Sequence, residues 1–389
     1  MEDHYQAQLI GKLIEAIKEQ PLKRISFYQY MKMVLYFPEL GYYTKNKRKI
    51  GKEADFYTSS SVGSVFGQTI ANLFVELLPN TLGGDNYNIL EIGGGNGRLA
   101  RDILDELKNN HHHIYHKLTF YMLEKSPYHK NLQSEYLKEH LDHIEWIDSI
   151  TQLAKPFNGI IFSNELIDSF PVHKVKKIDG ELREVYVTWN EEEDQFVEVI
   201  DSLSDKKLNE YFIEQGINLK EGQIAEVNSD AVQWITDISS VLNKGYLLTI
   251  DYGYPADELY ASHRHEGTLM CYYHHVANDN LYQNIGMQDI TSHVNFTALV
   301  EYGESLGFEK VWLTTQSDFL IKNGILQYLT EIGLEQLGNR DMFHDKDLKK
   351  NRAIRHLITP EGMGETFKVL LQQKNIKKKD YRFLIGIWD

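Results

Sequence analysis

The segment Glu91-Ile92-Gly93-Gly94-Gly95-Asn96-Gly97 sets a carboxylate beside glycines at 93, 95 and 97. An apolar run, Asn88 to Ile92, leads into it, and Leu99, Ile103, Leu104 and Leu107 follow at the spacing of one helical face. The segment is therefore expected to join a strand to a helix, where glycines without Cβ let the backbone turn sharply and approach a ligand. A dinucleotide fingerprint would need a glycine at position 98, which is Arg98, and a phosphate loop would need a lysine followed by Ser or Thr. Neither pattern is present. Glu91 would repel a pyrophosphate and attract the cationic amino-acid end of a sulfonium cofactor. Glu124 follows a second apolar run, Leu118 to Leu123, where an acid in this topology accepts hydrogen bonds from two ribose hydroxyls. The G-x-G-x-G spacing and the two acids together point to S-adenosylmethionine. Asp148, after the run Ile144 to Ile147, is a candidate for the adenine amino group, with capping of the next helix as its other reading.

Transfer from a sulfonium is an in-line displacement that needs alignment and a nucleophile with an available lone pair, and it requires no metal. Asn164 and Glu165 follow the run Ile160-Ile161-Phe162, at the end of the sheet where ligands bind in such folds. Glu165 can hold a guanidinium by a bidentate hydrogen bond and draw its charge away from the attacking nitrogen. Asp168 can assist or cap a helix. Asp251, with Tyr252 and Gly253, ends another apolar run, Tyr246 to Ile250, and is expected to face the same cleft. His293 is a candidate proton acceptor because imidazole titrates near neutral pH, and a hydrogen-bonded core histidine is the other reading. The group His111, His112, His113 and His116 reads as an exposed helix end rather than a metal site.

Short apolar runs alternating with helical patterns predict parallel strands joined by crossover helices, an α/β Rossmann-like domain. Before it, Leu9, Leu13, Ile14 and Ile17 predict a helix, Ser26 caps a second through Tyr36, Pro38 ends that one, and a third runs from near Phe66 to Pro79. This divides the chain into an N-terminal helical and loop region, 1–80, and a catalytic domain, 81–389. An insertion at about 171–222 interrupts the alternation, since Val172 to Lys176 and Leu182 to Thr188 flank the hairpin dipeptide Asp179-Gly180. The acidic Glu191-Glu192-Glu193-Asp194 reads as an exposed loop.

The 389 residues carry a formal net charge of −15, which disfavours a nucleic-acid partner. The basic runs Lys45 to Lys49 and Lys377 to Lys379 read as solvated loops. Cys271 is the single cysteine, inside a strand-like run, which suits a reducing compartment. No apolar segment reaches the ~20 residues that span a bilayer, and the acidic start is unlike a signal region, so a cytoplasmic protein without membrane insertion is expected.

Ordered landmarks extend over most of the chain: Gly41-Tyr42-Tyr43, Asp55-Phe56-Tyr57-Thr58, Phe66-Gly67, Glu91 to Gly97, Glu124-Lys125-Ser126-Pro127, Asn164-Glu165-Leu166-Ile167-Asp168 with Pro171-Val172, Asp251-Tyr252-Gly253, Gly267-Thr268-Leu269, and Gln288 to Val294. In these the chain resembles the MidA/DUF185 family, whose mitochondrial complex I assembly factor member is associated with symmetric dimethylation of a protein arginine. The resemblance implies a seven-stranded class I methyltransferase core with added helical and sheet elements, a methyl donor held at Gly93, Gly95, Gly97 and Glu124, and a protein substrate. Ser59-Ser60-Ser61 stands where the family commonly has a small residue, Pro and Glu, Gln68 replaces a commoner acid, and so does Asn295. If the acids at 61 and 68 hold a cationic substrate, their absence counts against arginine and suggests a cofactor-binding assembly factor without turnover; a small-molecule methyltransferase is the other reading.

Overall fold

The computed structural model describes residues 2–45, 63–81, 86–153, 155–274, 276–330 and 346–377. Asp55 to Thr58, Ser60, Ser61 and most of the two basic runs lie outside the described residues. The chain forms two compact units, one of Tyr57–Leu166, Thr236–Tyr252 and Gly303–Asp389, the other of Met1–Phe56, Ile167–Ile235 and Gly253–Tyr302.

The first unit is built on a twisted sheet of seven strands: β1 Tyr87–Ile92, β2 Leu118–Leu123, β3 Ile144–Ile147, β4 Phe157–Asn164, β5 Leu242–Tyr254, β6 Glu309–Thr315 and β7 Phe367–Lys374. Their spatial order is β3-β2-β1-β4-β5-β7-β6. Strands β1 to β5 run parallel, and β7 lies antiparallel between β5 and β6. The last residues of β5, Gly253 and Tyr254, belong to the second unit. The central strands are apolar on both faces, as helices on both sides of a parallel sheet require: Ile160, Ile161, Phe162, Leu247, Leu248 and Ile250 are all fully buried. β2, nearer an edge, alternates buried and half-buried residues. The chain runs outward from β1 to β3 and returns to β4 on the other side of β1, so strand order reverses between β1 and β4. Open α/β sheets bind ligands beyond the carboxyl ends of their strands at such a reversal.

Helices α1 Val65–Thr81, α2 Arg98–Asn110 and α3 Pro127–Tyr136 belong to this unit. Leu99, Ile103, Leu104 and Leu107 of α2 are buried, as the periodicity predicts. Gly67 lets α1 and α2 touch, since a Cβ there would lie 2.6 Å from Cβ of Asp102. Pro79 sits in the last turn of α1 instead of ending it, and forfeits one backbone N–H bond there. Ser126 caps α3, and Pro127 fills its first position.

The second unit holds a five-stranded antiparallel sheet, in which Ile25–Ser26, Glu181–Asn190, His173–Ile178 and Ile224–Val227 follow in that order and Gln195–Asp201 pairs with Glu181–Asn190. A three-stranded sheet combines Val276–Asn278, Met270–Tyr273 and Asp289–Thr291. Asp179 and Gly180 both have positive φ, 52° and 76°, and close the expected hairpin. The exposed acidic run 191–194 closes a second hairpin that periodicity does not reveal. Ser26 caps helix Phe27–Tyr36 through a reciprocal box with Gln29.

This division differs from the boundary expected at residue 80. The N-terminal helices go with the β-rich unit because Ile25–Ser26 adds to its sheet, Ile25 pairing with Val187, whereas α1 packs on the parallel sheet. The β-rich unit also takes in residues beyond the expected 171–222.

Candidate active site

The carboxyl end of β1 turns directly into the glycine loop. Gly93, Gly95 and Gly97 have φ of 75°, 51° and 82°, the left-handed region that other residues enter at a cost. A Cβ on Gly93 would lie 2.8 Å from Cδ1 of Leu166, and one on Gly97 would lie 3.1 Å from Cα of Gln133. Gly94 has a different constraint, which the glycine spacing does not expose. A Cβ there would stand 2.8 Å from both Oε2 of Glu91 and Cε of Met122. The loop is thus pressed onto β4's continuation on one side and α3 on the other.

Glu91 is 2 % exposed, and its Oε2 has no hydrogen-bond partner among the described residues. Burial, and after it the Glu124 carboxylate, push its pKa up to about 8. A buried acid with an open oxygen fits a ligand that brings a positive charge and donors, as the amino-acid end of S-adenosylmethionine does. Glu124, 9 % exposed at the end of β2, accepts from the Ser126 N–H at 2.8 Å and from Gln133 Nε2 at 3.3 Å, with His129 Nδ1 3.6 Å away. Each carboxylate oxygen accepts more than one bond, so Glu124 keeps capacity for hydroxyl donors. Glu124→Ala is expected to weaken S-adenosylhomocysteine binding by about 1–3 kcal/mol, the scale of hydrogen bonds to a charged group. Calorimetry checks this, and full affinity in the folded variant would remove Glu124 from the cofactor site.

Asp148 is placed differently from these two acids. Its side chain is 67 % exposed, its Oδ1 is 2.5 Å from Lys130 Nζ, and its N–H donates to Oε1 of Gln152. Lys130 occupies one oxygen of this exposed carboxylate, and Oδ2 remains for any ligand contact.

Beyond β4, Asn164 Nδ2 donates to Oε1 of Glu165 at 3.1 Å, while Asn164 Oδ1 is buried without a hydrogen-bond partner among the described residues. Glu165 has φ 50°, an uncommon conformation for a residue with a side chain, and its N–H donates to the Ile250 carbonyl of β5 at 2.9 Å. Such strain, of order 1–3 kcal/mol, is held where the surroundings over-determine it, commonly at functional sites. Asp251 is fully buried and accepts from the Leu166 N–H at 3.2 Å and from the Tyr252 N–H at 2.9 Å. Leu166 therefore links Asp251 to Gly93. Within this unit Glu91, the glycine loop, Glu124, Asn164, Glu165 and Asp251 gather at the carboxyl ends of β1, β2, β4 and β5.

Asp168 and His293 belong to the second unit, where the Ser292 N–H donates to the Asp168 carbonyl at 2.9 Å. Burial, with Arg264 adding, pushes His293 down to about 4. Its imidazole is neutral at physiological pH and weakly basic, which disfavours the proton-acceptor reading. Asn295 is buried in a structural network, donating to the Tyr211 hydroxyl at 2.9 Å and to Oε1 of Gln215 at 2.7 Å and accepting from the Ala298 N–H. Gly267 and Thr268 cradle the buried carboxylate of Glu226, and the His293 N–H donates to Thr268 Oγ1.

Sequence reasoning missed Gly94 and Gln133. Gln133 is the buried residue of α3, a helix without an apolar stripe, and that missing stripe was the available signal.

The family of S-adenosyl-L-methionine-dependent methyltransferases matches residues 69–314. A Caenorhabditis elegans protein named mitochondrial protein arginine methyltransferase NDUFAF7 homolog is 24 % identical over 91 % of this chain and 82 % of its own length. Its Homo sapiens counterpart by name is 26 % identical over 88 % of this chain and 78 % of its own length. A Burkholderia thailandensis protein crystallised with S-adenosyl-homocysteine bound superposes with a TM-score of 0.86 at 28 % identity, covering 96 % of this chain and 94 % of that one. With a strand order and a glycine loop that suit the same cofactor, the chain belongs to the MidA/DUF185 family of S-adenosylmethionine-dependent methyltransferases.

Proposed function

We propose that this methyltransferase modifies a protein side chain, with an arginine nitrogen as the methyl acceptor. The observation that carries the reading is the Asn164–Glu165 pair at the reversal of strand order, where Asn164 fixes one oxygen of a carboxylate on a strained backbone. A fixed carboxylate suits a planar guanidinium, which presents parallel N–H donors to its two oxygens. The names of the relatives support the same acceptor class.

The bound cofactor supplies an electrophilic methyl group on sulfur. Methyl transfer would form an N–C bond as the S–C electrons return to sulfur, and the proton that the guanidinium releases would pass from the N–H held by Glu165 to that carboxylate and on to solvent. Glu165 draws the positive charge of the guanidinium toward itself, leaving lone-pair density on the nitrogen facing away. Asn164 keeps that carboxylate from rotating, and Asp251 holds the Leu166 N–H and with it the approach of this segment to Gly93. Ser60 and Ser61 carry no acid, so the reading rests on Glu165.

A reducing, cytoplasmic setting is part of this proposal. The reducing part is supported by Cys271, the single cysteine of the sequence, which is buried and free. Among the described residues no helix is long and apolar enough to cross a membrane. The test is incubation of cell extract with isotopically labelled cofactor, followed by mass spectrometry of the labelled proteins. Label on arginine supports the proposal; label confined to small molecules overturns the protein acceptor, and label on lysine or on carboxylates overturns arginine.

A further inference from the structure

Gln133 lies on α3, fully buried, at the place where that helix meets both halves of the cofactor site. Its Nε2 donates to the Gly95 carbonyl at 2.9 Å and to Oε2 of Glu124 at 3.3 Å, and its Oε1 accepts from Trp146 Nε1 at 2.9 Å. This orientation of the amide is dictated by chemistry. A carbonyl and a carboxylate only accept and an indole N–H only donates, so a flipped amide would meet the wrong partner on every side. The backbones also approach closely, since a Cβ on Gly97 would lie 3.1 Å from both Cα and Cγ of Gln133.

A loop with three left-handed glycines has little side-chain packing to hold its path, and glycine loses more backbone freedom on ordering than any other residue. One neutral side chain here restrains a loop carbonyl and an acid oxygen together. The Gly95–Asn96 peptide is planar and trans, so tying its carbonyl to α3 directs the Asn96 N–H to the opposite side. Trp146, at the third residue of β3, in turn fixes the amide from the neighbouring strand.

We infer that Gln133 is a positioning residue that locks the glycine loop to Glu124, so that the amino-acid half and the ribose half of the cofactor site order as one. The inference rests on the reading of the loop and Glu124 as the cofactor site. It makes Gln133, which touches no reacting atom, as important for affinity as Glu124 itself.

The test is a double-mutant cycle read by S-adenosylhomocysteine calorimetry, with melting of the ligand-free proteins and steady-state kinetics alongside. Gln133→Met keeps the volume and removes all three hydrogen bonds. It is expected to weaken binding about tenfold or more and to raise KM for S-adenosylmethionine, with kcat at saturation little changed. Because Gln133 joins the loop to Glu124, the Gln133→Met/Glu124→Ala double variant should lose clearly less affinity than the product of the two single losses, the remainder reporting the bond to the Gly95 carbonyl that does not depend on Glu124. Trp146→Phe, which removes only the donor to Oε1, should lose affinity to a smaller degree. Gln133→Leu, close in volume and without polar atoms, should match the loss in Gln133→Met and decides the matter if Gln133→Met does not fold. Wild-type affinity in the folded position-133 variants, or losses that multiply in the double variant, would overturn the inference. So would a lowered ligand-free melting temperature without a change in KM. Wild-type affinity in Glu124→Ala would overturn the underlying site reading instead, which separates the two failures.

Discussion

Glu165→Gln should abolish most methyl transfer while leaving S-adenosylhomocysteine affinity within about twofold of wild type, because the change removes charge from the acceptor side and touches no cofactor contact. The substitution keeps size and the oxygen that Asn164 Nδ2 holds at 3.1 Å. It also keeps the backbone bond to Ile250 and the left-handed φ of 50°, so the local fold is retained. A guanidinium loses a charge-assisted pair, worth about 1.5–3 kcal/mol, and kcat/KM should fall about 10- to 100-fold from that contact alone. The loss is larger to the extent that the charge also localises the lone pair. A neutral acceptor, such as a hydroxyl, would be much less sensitive. Transfer to extract proteins, measured beside cofactor titration, checks the expectation. Unchanged transfer would take Glu165 out of the mechanism, and a parallel loss of cofactor binding would move it into the cofactor site.

Asn164→Ala provides the companion arm. It removes the bond that holds Oε1 of Glu165 but leaves the charge, so KM for the protein acceptor should rise more than kcat falls. If both variants behave alike, position and charge are inseparable here and the orienting role of Asn164 is lost.

The parts of this site that sequence reveals are those fixed by local chemistry. Left-handed glycines at 93, 95 and 97 follow from a strand, a tight turn and a helix in immediate succession, and the structure gives each a positive φ. β4 and β5 announce themselves because both of their faces are apolar, and β1 to β3 by their short apolar runs. β7 does not, since Gln372 and Gln373 are buried in its second half, with Gln373 donating to Oε2 of Glu309 in β6. Two polar residues inside a buried strand erase the pattern on which periodicity depends. Gly94 and Gln133 were hidden for a related reason. Gly94 is constrained by Met122 as well as by nearby Glu91, and Gln133 by Gly95 and Trp146 on other elements, and hydrophobic periodicity encodes neither. Asp148 shows the converse. Its position after a strand is right for a ligand contact, yet β3 is the edge of the sheet, where a carboxylate stays in water and pairs with the nearest lysine. His293 was legible as a titratable group but not as a buried one, and it is burial that decides its basicity. The two-unit division was illegible for the simplest reason: the short strand Ile25–Ser26, two residues long, carries the N-terminal helices to a sheet assembled more than a hundred residues later.

Binding of the cofactor should strengthen about tenfold for each pH unit between 6 and 7.5, and Glu91→Gln should remove this slope. In the free protein burial, reinforced by the Glu124 carboxylate, holds Glu91 protonated up to about pH 8. A cationic amino-acid end stabilises the ionised form, so binding expels a proton and is favoured as pH rises toward 8. The window stops at 7.5 because an α-amino group itself loses its proton near 7.7–8.0. The same shift has a sign for stability. An ordinary glutamate ionises near 4.5 in the unfolded chain, whereas folded Glu91 keeps its proton to about 8, so the folded state binds more protons between those values. Ligand-free protein should therefore lose this contribution to stability as pH rises through that window, and saturating S-adenosylhomocysteine should oppose the loss. Calorimetry in buffers of different ionisation enthalpy counts the proton directly, and melting curves across the same pH range follow the stability. Glu91→Gln, neutral at every pH, should show neither proton release at binding nor the stability slope, with affinity fixed near the low-pH wild-type value. A pH-independent affinity in wild type, with no proton released, would mean that Glu91 is already ionised before the ligand arrives, and its unpaired oxygen would then have to be satisfied by solvent.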